Sequence, residues 1–329
     1  SVPVDTSRVD DAAPSETEPP PTDTTAEDDT VGGTDGPVGT EPEAADIGAP
    51  GVGDSLYPDL GNGGYDVVHY DLDLDVEVDA NELDAIATLE AVATQPLGRF
   101  NLDLQGLEVA SVRVDDDPAA VERTGHELVI TPAVPIDSGA TFTVVVDYSG
   151  SPEPIADPAV PFDTVGWQQR EGTVYVASEP SGAMSWFPSN NHPTDKATFE
   201  ISVTTDADMT VVSNGVLVGS EAAEPDRATT TWRMTDPMTT YLAAVYIGEF
   251  ELRESVTDHG LRIRDYFPPA FADDLTDDFE LTVDVLDFYE DLFGADYPFD
   301  EYGSIVVPFD LGFALENQTI SIHGLDATD

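Results

Sequence analysis

The stretch Tyr70-Asp71-Leu72-Asp73-Leu74-Asp75-Val76-Glu77-Val78-Asp79 alternates an apolar or aromatic residue with an acid along its whole length. Successive side chains of a strand point to opposite faces, so this period of two predicts a half-buried strand with one wet face. Outward from it, similar short alternations occur at Phe100–Leu104, Val109–Val114, Leu128–Ile130, Phe142–Val146, Val174–Val176, Phe199–Val203, Met209–Val212 and Tyr241–Ile247. Clusters of Gly, Pro, Asp and Asn separate them. Many short strands at this spacing predict a β-sandwich or a barrel-like β-domain, so the chain is expected to be mainly β.

Upstream, residues 1–60 are dominated by Asp, Glu, Thr, Pro, Gly and Ala, with Arg8 the sole basic residue before Arg99. Such a segment has no apolar period with which to build a core and is expected to be a disordered acidic linker. Spacers of this composition hold domains away from a membrane or wall, so the segment points to an extracellular or cell-surface location; an interaction tail is the competing reading. Downstream, Leu275, Phe279, Val283, Leu286, Tyr289 and Phe293 recur at spacings of three and four, and Gly294 stands where a helix would stop. One amphipathic helix is expected over Asp273–Phe293, then a strand over Ser304–Val307. The pattern change marks a second, α/β domain that begins near residue 256 and is incomplete at residue 329.

The 329 residues carry 67 Asp and Glu against 11 Lys and Arg, a formal net charge of -56, and Lys196 is the only lysine. A surface so uniformly negative cannot assemble the basic stripe that a phosphate backbone requires, which excludes nucleic acid as a partner and disfavours anionic membranes. The acidity reads as adaptation to salt-rich surroundings that screen its self-repulsion. With no cysteine there is no disulfide and no thiolate ligand or nucleophile. No apolar run approaches the roughly 18 residues that span a bilayer.

Four segments carry a family resemblance. The first is Glu179-Pro180-Ser181-Gly182-Ala183-Met184-Ser185-Trp186-Phe187-Pro188-Ser189-Asn190-Asn191-His192-Pro193-Thr194-Asp195-Lys196-Ala197. The others are Ser213-Asn214-Gly215, the run Tyr241-Leu242-Ala243-Ala244-Val245-Tyr246-Ile247-Gly248, and Gly312-Phe313-Ala314-Leu315-Glu316-Asn317. In this order they resemble the aminopeptidase N family of zinc metallopeptidases, the last being similar to its exopeptidase signature GAMEN. The resemblance implies a saddle-like β-sandwich over residues 61–255, followed over 256–329 by the start of a thermolysin-like α/β catalytic domain. It also implies that Glu179 and Glu316 hold the substrate's α-ammonium, that backbone of Ala314 and Leu315 lines the peptide's path, and that Asn317 belongs to the same substrate-binding set. The expected partner is a peptide with a free N-terminus.

Two departures stand out. Phe313 occupies a position where the signature has Gly, and Met184 replaces the customary Arg, with Asn190, Asn191 and His192 in place of an acidic turn. Zinc is the family's cofactor, but its HExxH motif is missing. The five histidines are His69, His126, His192, His259 and His323, and no two are four apart. His126-Glu127 begins such a motif, yet Ile130 stands where the second His belongs, and His323 is expected to be a structural or surface residue. No metal ligand and no catalytic residue is therefore assigned within these residues, and a coding sequence continuing past Asp329 is expected. The alternative is a non-catalytic β-domain acting as a binding or scaffolding module. Asn317-Gln318-Thr319 matches a glycosylation sequon and is read as coincidence.

Overall fold

A computed structural model describes residues 46–157, 160 and 164–327. Most of the expected linker lies outside the described residues. Its last part, 46–60, does not behave as linker. Ile47 bridges Arg99, Gly48 N–H donates to the Arg99 carbonyl at 2.8 Å, and Leu60 is buried beside Ile155, Val165 and Met184. The composition concealed this because a few apolar anchors suffice to lay an otherwise polar segment on a finished surface.

The decisive acidic stretch lies in the strand Tyr65–Glu77, central in an eight-stranded sheet. It pairs antiparallel with Glu82–Ala93, placing Leu72 opposite Ala87, and parallel with Lys196–Asp206, placing Tyr70 opposite Phe199. Tyr70, Leu72, Leu74 and Val76 are buried as the alternation requires. Their dry face packs into one cluster with Trp167, Val174, Val176 and Tyr246 of a five-stranded sheet, which makes the sandwich. Tyr148 ties the layers by donating from its hydroxyl to the Trp186 carbonyl at 3.0 Å. A three-stranded sheet of Phe100–Asp103, Glu127–Thr131 and Ala120–Thr124 lies alongside.

A further five-stranded sheet is mixed. Its order is Glu251–Val256, Arg262–Phe267, Glu301–Val306, Ile320–His323 and Ala314–Asn317, with parallel pairing at both contacts of Glu301–Val306 that involve Arg262–Phe267 and Ile320–His323. Parallel neighbours need a crossover, supplied here by two helices, α1 (Ala272–Phe279) and α2 (Leu281–Phe293). The single helix expected over Asp273–Phe293 is thus two. Within α1 the Thr276 hydroxyl bonds back to the Ala272 carbonyl at 2.6 Å, a competition with the backbone ladder that bends helices. Gly294 ends α2 in the left-handed region, φ 65°, as its position foretold. Only α1 buries residues, Ala272 and Leu275; Leu281, Val285, Phe288, Tyr289 and Leu292 form an exposed apolar face on α2. The expected strand over Tyr241–Ile247 is shorter, Val245–Gly248, preceded by a tight turn at Thr240–Leu242. Core packing continues unbroken into this sheet through Ile305, Leu315, Ile320 and Ile322.

Candidate substrate-amine site

The four sequence segments, the first and last more than a hundred residues apart, converge through hydrogen bonds made largely by asparagine side chains. Asn214 is the joint. Its Nδ2 donates to the carbonyls of Leu242 (3.0 Å) and Gln318 (2.7 Å), and its Oδ1 accepts from Ala244 N–H at 2.8 Å. Beside it Gly215 N–H donates to Thr319 Oγ1 at 2.7 Å, and the Ser213 hydroxyl donates to the Ala244 carbonyl at 2.7 Å. Gly215 has φ 77°, and a Cβ there would stand 2.0 Å from the Arg233 carbonyl oxygen, so both conformation and space require glycine. The first segment joins through Asn191, whose N–H donates to Asp103 Oδ2 (2.9 Å), whose Nδ2 donates to the Ser181 carbonyl (2.7 Å), and whose Oδ1 accepts from the Thr240 hydroxyl (3.3 Å). Asn190 likewise exchanges two bonds with the backbone of Asn62. The departures at these two positions therefore act as internal pins.

The strand Ala314–Asn317 is the outer member of its sheet and alternates in burial: Ala314 and Glu316 are exposed, Leu315 and Asn317 buried. Asn317 turns inward and donates to the Tyr246 hydroxyl at 2.7 Å, which fixes the strand on the core and leaves the sequon's side chain out of solvent. Leu315 joins the main core, so only its backbone borders the open edge. The approach to the strand is fixed by Asp326, whose two carboxylate oxygens accept from the N–H groups of Leu311 (3.0 Å) and Gly312 (2.9 Å). Phe313 is half-buried and packs against the core, and Met184 lies in the small cluster with Leu60.

Glu179 is exposed in the turn after the strand Thr173–Ala177, joined to Pro180 by a cis peptide bond. Glu179 lines a cavity with Tyr241, and the charges of both Glu179 and Glu316 are felt at the Tyr241 phenol. It is held above its ordinary pKa first by burial, then by the charge of Glu179, then by that of Glu316. The cavity, of about 240 Å³, is also lined by Asn191, His192, Asp54 and Tyr57. His192 Nε2 lies 3.4 Å from Asp54 Oδ2, and the Asp54 carboxylate is held below its usual range by the backbone N–H groups of Tyr57 and Leu56. Sequence reasoning did not single out Tyr241, Asp54 or Tyr57. Tyr241 was quoted as part of a strand, whereas it sits in the turn before that strand; the other two were assigned to linker.

The paired histidines that hold the family's zinc are not formed among the described residues; His126, beside Asp103 and Glu127, has no second histidine with it. His69 Nδ1 pairs with Thr198 Oγ1 at 2.7 Å, His192 with Asp54, and His259 is exposed near Asp287 and Glu290. His323 packs edge-on to Phe279 with centroids 5.4 Å apart, and burial lowers its pKa, which favours the neutral ring. Among the described residues no two histidines share a helix, so no hydrolytic step is derived through this chain's own side chains.

Comparison with known proteins agrees with this architecture. Residues 67–242 match the Peptidase M1 N-terminal domain, and the chain belongs to that family. It is 25% identical over 270 residues to endoplasmic reticulum aminopeptidase 1 of Homo sapiens, covering 78% of this chain and 28% of the relative. It is 26% identical over 264 residues to aminopeptidase A of Gloydius brevicauda, covering 76% of this chain and 27% of the relative. Among solved structures, an M1 zinc metallopeptidase from Deinococcus radiodurans superposes with a TM-score of 0.75 at 30% identity, over 83% of this chain and 63% of that one. A two-domain M1 zinc metallopeptidase mutant bound to L-tryptophan gives 0.76 at 31% identity, over 82% and 63%. The chain thus spans less than a third of these curated relatives and under two thirds of these solved structures. No helix among the described residues is long and apolar enough to cross a membrane.

Proposed function

We propose that this chain forms the substrate-amine side of a zinc aminopeptidase that removes N-terminal residues from peptides. Glu179 and Glu316 hold the free α-ammonium, and the peptide runs along the open edge of the strand Ala314–Asn317, exchanging backbone hydrogen bonds with Ala314 and Leu315 as an added strand does. Asn317 serves from beneath, keeping that edge in place. The observation that carries the reading is the outer strand Ala314–Asn317, which is pinned from beneath by Asn317 on Tyr246 and leaves Glu316 exposed, with Glu179 exposed beside the Tyr241 cavity.

An exopeptidase must separate a charged terminal amine from the neutral amides of mid-chain residues, and two fixed carboxylates do this. At about 4 Å and an effective dielectric near 20, each ion pair contributes roughly 4 kcal/mol before desolvation is subtracted. Zinc, held by residues outside these 329, would activate the water; nothing in the present donor set does so. The acidic composition of residues 1–60 supports a place outside the cell. The activity is tested by expressing the complete coding sequence, loading it with zinc and offering aminoacyl reporters with free and with acetylated amines. Release from the free-amine reporters alone supports the proposal, and no release from any unblocked reporter removes it.

A further inference from the structure

Away from that site, Asp103, His126 and Glu127 bring one ligand atom each to within 4.8 Å of one another. Asp103 comes from the strand Phe100–Asp103 and Glu127 from its antiparallel partner, where the two are paired directly across the ladder. His126 is the residue before that strand. Its Nε2 lies 3.6 Å from Asp103 Oδ1, 3.9 Å from Glu127 Oε1 and 2.9 Å from the Asp59 carbonyl oxygen.

The two carboxylates are poorly compensated. Asp103 is 0% exposed; its Oδ2 accepts from Asn62 Nδ2 (3.1 Å) and Asn191 N–H (2.9 Å), while its buried Oδ1 has no hydrogen bond among the described residues. Glu127 Oε2 and Asn62 Oδ1 are likewise buried without one. No lysine or arginine pairs with either acid among the described residues; His126 is the one basic side chain beside them, and the remaining help is neutral, from the Gly61 backbone at Asp103 and the Asn101 side chain at Glu127. Burial pushes both carboxyls up from their ordinary range, and the Asp103 charge adds to the rise at Glu127. Uncompensated buried acceptors at this density are costly, and a cation is what relieves them. Without an ion His126 Nε2–H donates to the Asp59 carbonyl at 2.9 Å, and a cation bound at Nε2 would take the place of that proton.

We propose that Asp103 Oδ1, His126 Nε2 and Glu127 bind a divalent transition cation of the Zn2+ class, with the Asp59 carbonyl oxygen alongside. One imidazole with carboxylate oxygens suits Zn2+ better than Ca2+, which takes oxygen alone. The His126 side chain is 24% exposed and gives the ion its way in. The bound ion would clamp the 46–60 segment, through Asp59, to the three-stranded sheet.

The test is equilibrium dialysis of the chelator-stripped 329-residue chain against Zn2+, in high salt to screen diffuse binding to its net charge of -56. The expected result is one ion per chain whose affinity falls at least tenfold in both H126N and E127Q, with an anomalous-scattering peak among the three side chains. H126N alters a partly exposed ring and should leave the circular dichroism spectrum unchanged, so its result stands even if D103N fails to fold. Binding unchanged by H126N, no saturable binding, or saturation by Ca2+ but not Zn2+ would overturn the assignment. Neither outcome depends on peptidase activity.

Discussion

Replacing Asn214 by alanine should loosen the joint on which three of the four converging segments depend. The side chain is 1% exposed and serves three backbone groups: the carbonyls of Leu242 and Gln318, and Ala244 N–H. Ala244 N–H loses its partner in the interior, and the two carbonyls lose theirs at half-buried positions. An orphaned buried group costs about 1–3 kcal/mol, and the carbonyls, with a second lone pair, lie at the low end. The sum is about 3–5 kcal/mol. Ser213→Ala removes a single bond, to the Ala244 carbonyl, and should cost about 1 kcal/mol. Asn214→Asp keeps the acceptor for Ala244 but turns a carboxylate oxygen toward two carbonyls, so it should be no milder than alanine. Urea unfolding of the three variants gives the comparison, and hydrogen exchange at the Ala244 amide reports the joint itself. An N214A cost within 0.5 kcal/mol of wild type, or an N214D chain more stable than N214A, would refute the reasoning.

Gly215→Ala should be worse than any of these, because its Cβ meets the Arg233 carbonyl at 2.0 Å and φ is 77°; loss of soluble folded chain on expression is expected, and a wild-type melting temperature would contradict it. Asp265 is buried, its Oδ1 has no hydrogen bond, and its carboxyl is pushed up to about 6, burial being the largest cause. The folded state then holds a proton that the unfolded state has released between about pH 4 and 6, so this residue makes stability fall as pH rises through that window. D265N should flatten that segment of the stability profile by as much as about 1.4 kcal/mol per pH unit and be the more stable chain above pH 6; parallel wild-type and D265N profiles in urea would show the account of Asp265 to be wrong.

The sandwich was legible because its strands are half-wet. Each carboxylate of Asp71, Asp73 and Asp75 marks an outward position, and the intervening Leu72 and Leu74 must then face the core. Segments whose fate depends on a distant partner were not legible. Residues 46–60 read as linker, since Leu60 and Ile47 carry no period, and they still form one wall of the cavity at Asp54 and Tyr57. The break between α1 and α2 hides inside an unbroken amphipathic pattern, because it falls at Glu280, a single residue that keeps helical backbone and so leaves the spacing unchanged. Glu179 and Glu316 were reached through resemblance and not through pattern, as exposed glutamates in so acidic a chain carry no signal of their own. Tyr241, whose phenol feels the charge of both, and Asp103, which completes the cluster begun at His126-Glu127, become visible only when segments far apart in sequence are brought together.

Amine recognition by two carboxylates is the central claim, and the most direct measurement is kcat/KM of the complete zinc-loaded gene product on free-amine and N-acetylated reporters, in wild type, E316Q and E179Q. Removing one member of a desolvated charge pair costs about 2–5 kcal/mol. Each variant should therefore lose on the order of a hundredfold or more on the free-amine reporter, with the acetylated reporter equally poor throughout. A wild-type ratio between the two reporters in either variant would contradict the claim.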